Sequence, residues 1–245
     1  MFSSLRYENG FIMNSNKKIS KISKEIINPS LDLSIDYTEI GIDELLNNNI
    51  LKEIPIVKTL VAIAKTGIAI RERFFIKKFL VFLSEFKTNK IDEISLKKFR
   101  EKFKKNEKFR NKTTEQILII IEELDSIKKS KILAHLFNAY LKKYINWQRF
   151  ISLSNCLKNL QEITFDYLRI LSKKEFNFTI NTGRKTSEID KIIKKHKKGI
   201  NQFSTYELEA LLIASGVGLR SGTLFRITEL GQDLYKYGIA VLKNS

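Results

Sequence analysis

The sequence predicts a mainly α-helical fold: a multi-helix bundle followed by a small C-terminal winged-helix-like module. Three observations support this prediction. The 245 residues include only 2 Pro and 10 Gly, so long helices can run without interruption. From residue 95 to residue 168, apolar residues recur at helical spacing between short polar breaks. Near the C-terminus, Phe225 and Ile227 alternate with polar residues, as in a half-buried strand.

The N-terminal third divides into an arm and the start of the bundle. Residues 1–48 are rich in Ser, Asn and Lys, and we interpret them as a flexible N-terminal arm in which Met13 is an alternative start. The helical bundle is predicted over residues 49–172. Pro55 opens its first helix, because the missing N–H costs nothing in a first turn. A second apolar helix follows and carries five phenylalanines: Phe74, Phe75, Phe79, Phe82 and Phe86.

Four further helices of the bundle are predicted from capping residues and apolar periodicity. Ser95 is expected to cap the first of them, and Thr113 or Thr114 the second. The third is predicted from Ile127 to Ile145, and Asn146 is expected to cap the fourth. Because the breaks between them are short, neighbouring helices are expected to pack antiparallel.

The C-terminal module is predicted over residues 173–245. Ser204 and Glu207 have the spacing of a capping box at the start of a helix. Gly216 fits a left-handed cap at the end of that helix. Thr228 then fits an N-cap directly after the predicted strand, so a final helix should follow. A helix, a strand region and a helix in this order are typical of a winged-helix fold.

The formal charge of +17 indicates a polyanionic partner, either nucleic acid or an anionic membrane surface. A bias toward Lys, Asn and Ile, as AT-rich coding produces, explains the same charge without any ligand. Both interpretations stay open at this point.

No catalytic, metal or cofactor site is predicted. Cys156, the only cysteine, sits on an apolar helix face and is interpreted as a buried small hydrophobe. His135 and His196 lie far apart, without a second ligand at metal spacing. No Gly-rich phosphate loop and no Ser–His–Asp arrangement is recognisable. We therefore expect a protein that is not an enzyme and that has no small-molecule substrate.

The block from Pro55 to Phe86 is a candidate membrane or partner surface. Its first apolar run spans roughly 24 Å at helical rise, which is short of the ~30 Å hydrocarbon core. The cations could instead meet lipid head groups from the interface. The alternative is a core hairpin of the bundle, which fits the length of the run better. The candidate surface residues are Lys58, Lys65, Arg71, Arg73, Lys77 and Lys78.

The C-terminal module offers a candidate nucleic-acid surface. Its basic residues could contact phosphate, as they do in many winged-helix proteins. The helix predicted around residues 205–213 is acidic and apolar, however, which disfavours reading of bases and favours dimerisation or domain packing. The candidate nucleic-acid residues are Lys194, Lys195, Lys197, Lys198, Arg220 and Arg226.

Six segments carry helix-packing patterns of a recognisable kind: Ile54–Leu60, Gly67–Lys78, Phe79–Leu83, Leu136–Leu141, Trp147–Phe150 and Phe225–Gly231. These segments resemble the abortive-infection alpha (Abi-alpha) family of bacterial and prophage helical proteins. The resemblance covers about residues 40 to 240. It implies a role in bacteriophage defence, in which the infected cell stops growing or dies before phage are released. It implies no catalytic residues.

Residues and resemblance together predict a non-enzymatic bacterial anti-phage (abortive infection) or prophage protein that acts through protein or membrane contacts. Two alternatives remain, a nucleic-acid-binding regulator that uses the basic C-terminal module and an oligomeric adaptor. A protein partner or self-association is expected, with an anionic membrane surface or nucleic acid as further partners. The polar first residues are unlike a signal peptide, so we expect a cytoplasmic location, or a peripheral one at the inner face of the cell membrane.

Overall fold

The computed structural model describes residues 22–24, 26–27, 36–41, 44, 57–58, 70–88, 93–172, 203–222 and 224–242. Of these residues 77% are helical, and two short strands lie near the C-terminus, which confirms the mainly α fold class. The chain forms two compact units, Met1–Ser130 and Lys131–Ser245. The division at residues 48 and 172 rests on composition and stays a prediction. Most of the helix expected from Pro55 lies outside the described residues.

The described part of the first unit includes three long helices. Helix α1 packs on α3, and α2 also packs on α3. Their bounds are α1 Ile70–Thr88, α2 Glu93–Lys105 and α3 Glu107–Glu123.

A row of phenylalanines on α1 forms the centre of the first unit. Phe75, Phe79, Phe82 and Phe86 recur every three or four residues, so they share one face of the helix. All four are buried, and each ring stacks on the next with centroids 6.3 to 6.4 Å apart. Burial of each side chain contributes about 1.5–3 kcal/mol. This confirms the predicted second apolar helix and places four of its five phenylalanines in the protein core, while Phe74 is half-buried.

A single residue joins α2 to α3. Asn106 is the N-cap of α3, and its side chain accepts a hydrogen bond from the backbone N–H of Phe109 at 2.8 Å. Below this joint, the rings of Phe99, Phe103 and Phe109 contact one another at centroid distances of 5.1 to 6.2 Å.

The capping residues predicted for α2 and α3 are wrong. Helix α2 already includes Glu93, so Ser95 lies inside its first turn. Helix α3 begins at Glu107, and both Thr113 and Thr114 are buried in its interior. The prediction placed the start at the first apolar run, whereas the polar turns before that run are also helical because Asn106 caps them.

Helix α4 begins at the end of the first unit, and the second unit continues from it. Asn146 caps α5 by accepting from the backbone N–H of Arg149 at 2.8 Å, as predicted. The predicted last bundle helix is interrupted at Leu160 and resumes through a short 3-10 turn. The bounds are α4 Ile127–Leu141, α5 Trp147–Asn159, the 3-10 turn Glu162–Thr164 and α6 Phe165–Leu171.

The C-terminal module is a helix, an antiparallel two-stranded hairpin and a second helix, which is the element order predicted for a winged-helix-like module. The two strands pair with Gly218 opposite Ile227 and Ser221 opposite Leu224. Helix α8 packs on α5 and α6, so the module shares a core with these helices. The bounds are α7 Thr205–Ala214, β1 Gly218–Ser221, β2 Leu224–Ile227, α8 Glu229–Tyr237 and a 3-10 turn Ile239–Val241.

Three local signals in this module are confirmed. Ser204 and Glu207 form a complete capping box at the start of α7. Gly216 follows α7 with a φ of +80°, a left-handed conformation that glycine adopts without a Cβ clash. Thr228 caps α8 by accepting from the backbone N–H of Gly231 at 3.1 Å.

Close packing at Gly231 holds α8 against the hairpin. A Cβ at this position would lie near the Val217 carbonyl oxygen and the Ile227 side chain, at distances too short for real contacts. The Thr228 backbone N–H also donates to the Val217 carbonyl oxygen at 2.9 Å. Only glycine therefore allows the first turn of α8 to approach the hairpin this closely.

We expect Gly231→Ala to destabilise the second unit by about 1–3 kcal/mol, because the new methyl group meets backbone that cannot move aside. This loss outweighs the ~1 kcal/mol that alanine gains over glycine in a helix. Urea unfolding of both proteins measures the difference. Gly41→Ala is the control, since its Cβ would lie 3.9 Å from its nearest neighbour, and it should change stability by less than ~0.5 kcal/mol.

Candidate interaction surfaces

The six basic residues predicted to form a membrane or partner surface do not form one face. Lys58 is exposed, and Lys65 lies outside the described residues. On α1, Arg71 and Lys78 are seven residues apart and lie on one side of the helix, while Arg73 and Lys77 lie on nearly the opposite side. Arg71 is exposed and pairs with Glu122 at 2.8 Å.

Lys77 and Lys78 are bound to backbone carbonyl groups. The Lys77 amino group donates to the carbonyl oxygen of Ile40 at 2.5 Å. The Lys78 amino group donates to the carbonyl oxygens of Glu122 at 2.8 Å and Leu124 at 2.5 Å. Both acceptors of Lys78 lie at the C-terminal end of α3, where a helix leaves carbonyl groups without partners and a cation is favourable.

Lys78 therefore does not belong to the predicted surface, because its side chain is only 3% exposed. Its pKa is lowered from 10.5 to about 8, mainly because burial disfavours the charged form, while Glu122 and Asp125 oppose the shift and Arg71 adds to it. The Phe74 ring lies 5.2 Å from the amino group. The sequence predicted Lys78 at the surface because lysine is usually solvated. Here backbone carbonyl groups accept the hydrogen bonds that water would otherwise accept, so the side chain can be buried.

Of the predicted nucleic-acid residues, the structure describes Arg220 and Arg226. Arg220 donates to the carboxylate of Glu209 and lies over the Tyr206 ring at 5.2 Å. Glu209 is 4% exposed, and the Tyr167 hydroxyl donates to its other oxygen at 3.4 Å. The charge of Arg220 thus neutralises a buried carboxylate inside the second unit.

Arg226 lies on the other side of the hairpin. It pairs with Leu219 across the two strands, and both side chains are exposed. The remaining members of this set, Lys194, Lys195, Lys197 and Lys198, lie outside the described residues. The described part of the module therefore offers one outward arginine rather than a basic surface.

Helix α7 has an exposed apolar face. Tyr206, Ala210 and Ile213 follow one another at helical spacing, and Tyr206 and Ile213 are 63% and 39% exposed. We call these three residues the α7 face. The sequence from Phe203 to Leu219 contains no Lys or Arg, although the chain as a whole has 44. The capping box also lowers the pKa of Glu207, because the backbone N–H and the hydroxyl of Ser204 donate to its carboxylate.

Sequence reasoning missed a basic cluster around the joint of α2 and α3. Its lysines are exposed, and, apart from Lys102, whose amino group lies 4.3 Å from the Phe109 ring centroid, none has a partner among the described residues. The sequence shows a high density of lysine in this segment, but the solvent-exposed side of an amphipathic helix explains such a density equally well. We call this cluster the lysine corner: Lys97, Lys98, Lys102, Lys104, Lys105, Lys108 and Lys112.

Within the described ranges, no group of three or more His, Cys, Asp or Glu side chains is arranged to hold a metal ion. No helix in the same ranges has the length and hydropathy needed to cross a membrane. The Cys156 thiol is buried next to Gly216, and burial raises its pKa, which suits an unreactive core residue.

Comparison with known proteins found no match to this chain among family models, curated proteins or solved structures. The resemblance to the abortive-infection alpha family thus stays a prediction that rests on the residues quoted above.

The buried position of Lys78 predicts a pH dependence of stability. Its pKa is about 8 in the folded chain and 10.5 in the unfolded one, so between these values the unfolded chain binds a proton that the folded chain does not. Stability should therefore rise with pH from about 8 to about 10.5. The neutral amine keeps two N–H donors, enough for both carbonyl oxygens.

Urea unfolding of the wild type and of Lys78→Met across this pH range tests the prediction. The other lysines and tyrosines are present in both proteins, so their effects cancel when the two unfolding free energies are subtracted. The difference therefore reports the titration of Lys78. We expect this difference to shift in favour of the wild type as pH rises. A difference that is flat with pH would show that Lys78 keeps its ordinary pKa.

The pair of Glu209 and Arg220 predicts a strong coupling. Arg220→Gln should destabilise the second unit by about 2–3 kcal/mol, because it leaves a buried carboxylate without its cation. Adding Glu209→Gln should restore part of this loss, so a double-mutant cycle should give a coupling of ~1–3 kcal/mol. Arg226→Gln is the matched control and should change stability by less than ~0.5 kcal/mol. Additive effects of the two single substitutions would contradict the assignment.

Proposed function

We propose that this chain is a non-enzymatic phage-defence protein of the abortive-infection type, and that it acts by binding protein through the α7 face. The observation that supports this proposal is an exposed apolar helix face without basic residues in a chain of charge +17. Exposed apolar residues grouped on one element are typical of protein contacts, whereas isolated ones are not. The phage-defence part comes from the family resemblance.

The α7 face has the properties of a preformed binding element. The capping box fixes the start of the helix, and Leu208 and Leu212 hold its opposite side in the core. Tyr206 combines a large apolar ring with a hydroxyl group, a combination that is common at the centre of protein interfaces. Little conformational entropy is lost when such a helix binds, so a small apolar surface can still give a stable contact.

A second copy of the same chain is the partner proposed for this face. Two chains of charge +17 repel each other over most of their surfaces. The described residues of α7 and the hairpin carry little net charge beside the α7 face, because Glu207 is acidic and Arg220, which lies over the Tyr206 ring, is neutralised by Glu209. Self-association is therefore least opposed by charge at this face, and an isologous contact would place the same apolar residues opposite each other.

The same observations weaken the other two candidate functions. Four of the five phenylalanines of α1 that would have entered a membrane lie in the core, together with Lys78. The arginine that would have contacted phosphate in the module, Arg220, is held by Glu209. Neither the described part of the Pro55–Phe86 block nor the described part of the module supports these alternatives as well as protein contact.

The experiment measures the mass in solution and phage protection with the same variants. Tyr206→Glu combined with Ile213→Glu should raise the dissociation constant of the dimer by about thirtyfold, as the loss of ~2 kcal/mol at an interface centre implies. Light scattering should give twice the 28.6 kDa chain mass for the wild type and the chain mass for the variant. Expression of the wild type should lower phage plaque number, and the variant should lose this effect.

The matched control is Ile94→Glu combined with Ile119→Glu. These two isoleucines are also exposed, and the substitution changes the net charge by the same amount. The control should keep both the dimer mass and phage protection. A monomeric wild type at ~100 µM would overturn the second copy as partner. Protection that survives in the Tyr206 and Ile213 variant would overturn the role of the face, and a wild type without effect on plaques would overturn phage defence.

A further inference from the structure

We infer that the lysine corner of α2 and α3 binds the phosphate backbone of nucleic acid without reading its sequence. This inference is independent of the proposed function, because the lysine corner lies in the first unit and shares no residue with the α7 face. It also differs from the nucleic-acid surface predicted from sequence, which was placed in the C-terminal module.

The segment that forms the lysine corner has a high density of positive charge. Residues 93–112 contain seven lysines and two arginines against three glutamates. On α2, Lys97 and Lys104 are seven residues apart, as are Lys98 and Lys105, so the four side chains form two adjacent rows on the outer arc of the helix. Glu101 contributes one negative charge to the same arc.

The lysine side chains are available to bind phosphate. Lys97, Lys98, Lys104, Lys105, Lys108 and Lys112 are exposed, and none pairs with an acidic residue among those that the structure describes. The nearest carboxylate across the joint, Glu107, pairs with Arg110 at 3.6 Å. The phosphate backbone of nucleic acid holds condensed counterions in solution. Exposed lysines that neutralise phosphates release these ions, and this release drives binding.

The backbone that carries the lysine corner is held in place by packing and by a helix cap. Phe99 and Phe103 are buried beneath it, and the Phe109 ring contacts both of them. The Asn106 cap fixes the start of α3. Because the backbone under the lysines is ordered, only side-chain freedom is lost on binding.

The side chains favour nucleic acid over a membrane. A helix that lies in a membrane interface inserts its apolar face, but Phe99 and Phe103 already fill the core of the first unit. Among the described residues of α2 and α3, the exposed large apolar side chains are Ile94 and Ile119, and two separate isoleucines cannot anchor a helix in lipid. Charge alone remains, and a dense array of lysines matches the regular charge of a phosphate backbone.

The same side chains disfavour base reading at this surface. Contacts to base edges come from arginine or lysine at guanine and from asparagine or glutamine at adenine, so lysines alone offer a narrow set of base contacts. Both arginines of the segment are engaged, Arg100 with the carbonyl oxygen of Ile27 at 3.1 Å and Arg110 with Glu107. Asn106 is used as a cap. Exposed lysines provide phosphate contacts, which position a protein on nucleic acid but carry no sequence information.

Fluorescence anisotropy of the full chain with a labelled duplex tests the inference at increasing NaCl concentration. The α2 variant combines Lys97→Gln, Lys98→Gln, Lys104→Gln and Lys105→Gln. If each lysine contacts one phosphate, the slope of log Kobs against log salt should become shallower by about 3 to 4, because each lost contact removes ~0.9. Two duplexes of unrelated sequence should bind the wild type equally within about threefold.

Two further variants are measured, so that the conclusion holds even if one variant fails to fold. The α3 variant, Lys108→Gln with Lys112→Gln, should reduce the slope by about 2. The matched control removes four exposed lysines elsewhere, with Lys87→Gln, Lys128→Gln, Lys143→Gln and Lys158→Gln. Because the control has the same net charge as the α2 variant, it should keep the wild-type slope within about 1.

Three outcomes would overturn the inference. The first is the absence of duplex binding by the wild type at low salt. The second is an equal loss of binding in the control and in the α2 variant, which would show that only net charge matters. The third is binding to phosphatidylcholine and phosphatidylglycerol vesicles that the α2 variant loses while it keeps duplex binding, which would assign the lysine corner to a membrane.

Discussion

The excess of basic over acidic side chains is the main constraint on this structure. It has 44 basic and 27 acidic residues, so ion pairs alone cannot satisfy the basic side chains. Backbone carbonyl groups take their place at several points. Lys77 donates to Ile40, Lys78 to Glu122 and Leu124, Arg100 to Ile27, and Arg110 to Lys104. Carbonyl oxygens at helix ends are suited to this role, because the helix leaves them without partners.

This use of carbonyl groups separates the remaining charges into distinct regions. Buried charged groups are neutralised in pairs: the buried Lys129 pairs with Asp125, and the buried Glu209 pairs with Arg220. Lysines without such a partner remain in solvent, and they are dense around the joint of α2 and α3. The α7 face, by contrast, is nearly neutral. One chain thus carries a basic region in its first unit and an apolar region in its second, and the two suit different partners.

The sequence predicted those features that depend on a few neighbouring residues. The caps at Asn146 and Thr228, the capping box of Ser204, the left-handed Gly216 and the burial of Cys156 are all confirmed, because each follows from local backbone geometry or helical spacing. The mainly α fold class followed from the same periodicity.

Features that depend on distant residues were predicted poorly. Lys78 was placed on a surface because its acceptors, 44 and 46 residues away, cannot be read from the spacing around it. Arg220 was assigned to phosphate for the same reason, since its partner Glu209 lies on another element. The lysine corner was visible in composition, but whether its charges were already paired could be answered only by the packed structure.

The joint at Asn106 limits how the first unit can change. Most connections between helices accept an added or deleted residue, but here one residue is both the whole connection and the cap of α3. Each residue inserted before it and absorbed by α2 would turn that helix by about 100° about its axis. One of the two rows of lysines would then face the core, and the phenylalanines would turn toward water. Substitution is therefore the route by which homologous chains can vary here, and insertions and deletions are expected elsewhere.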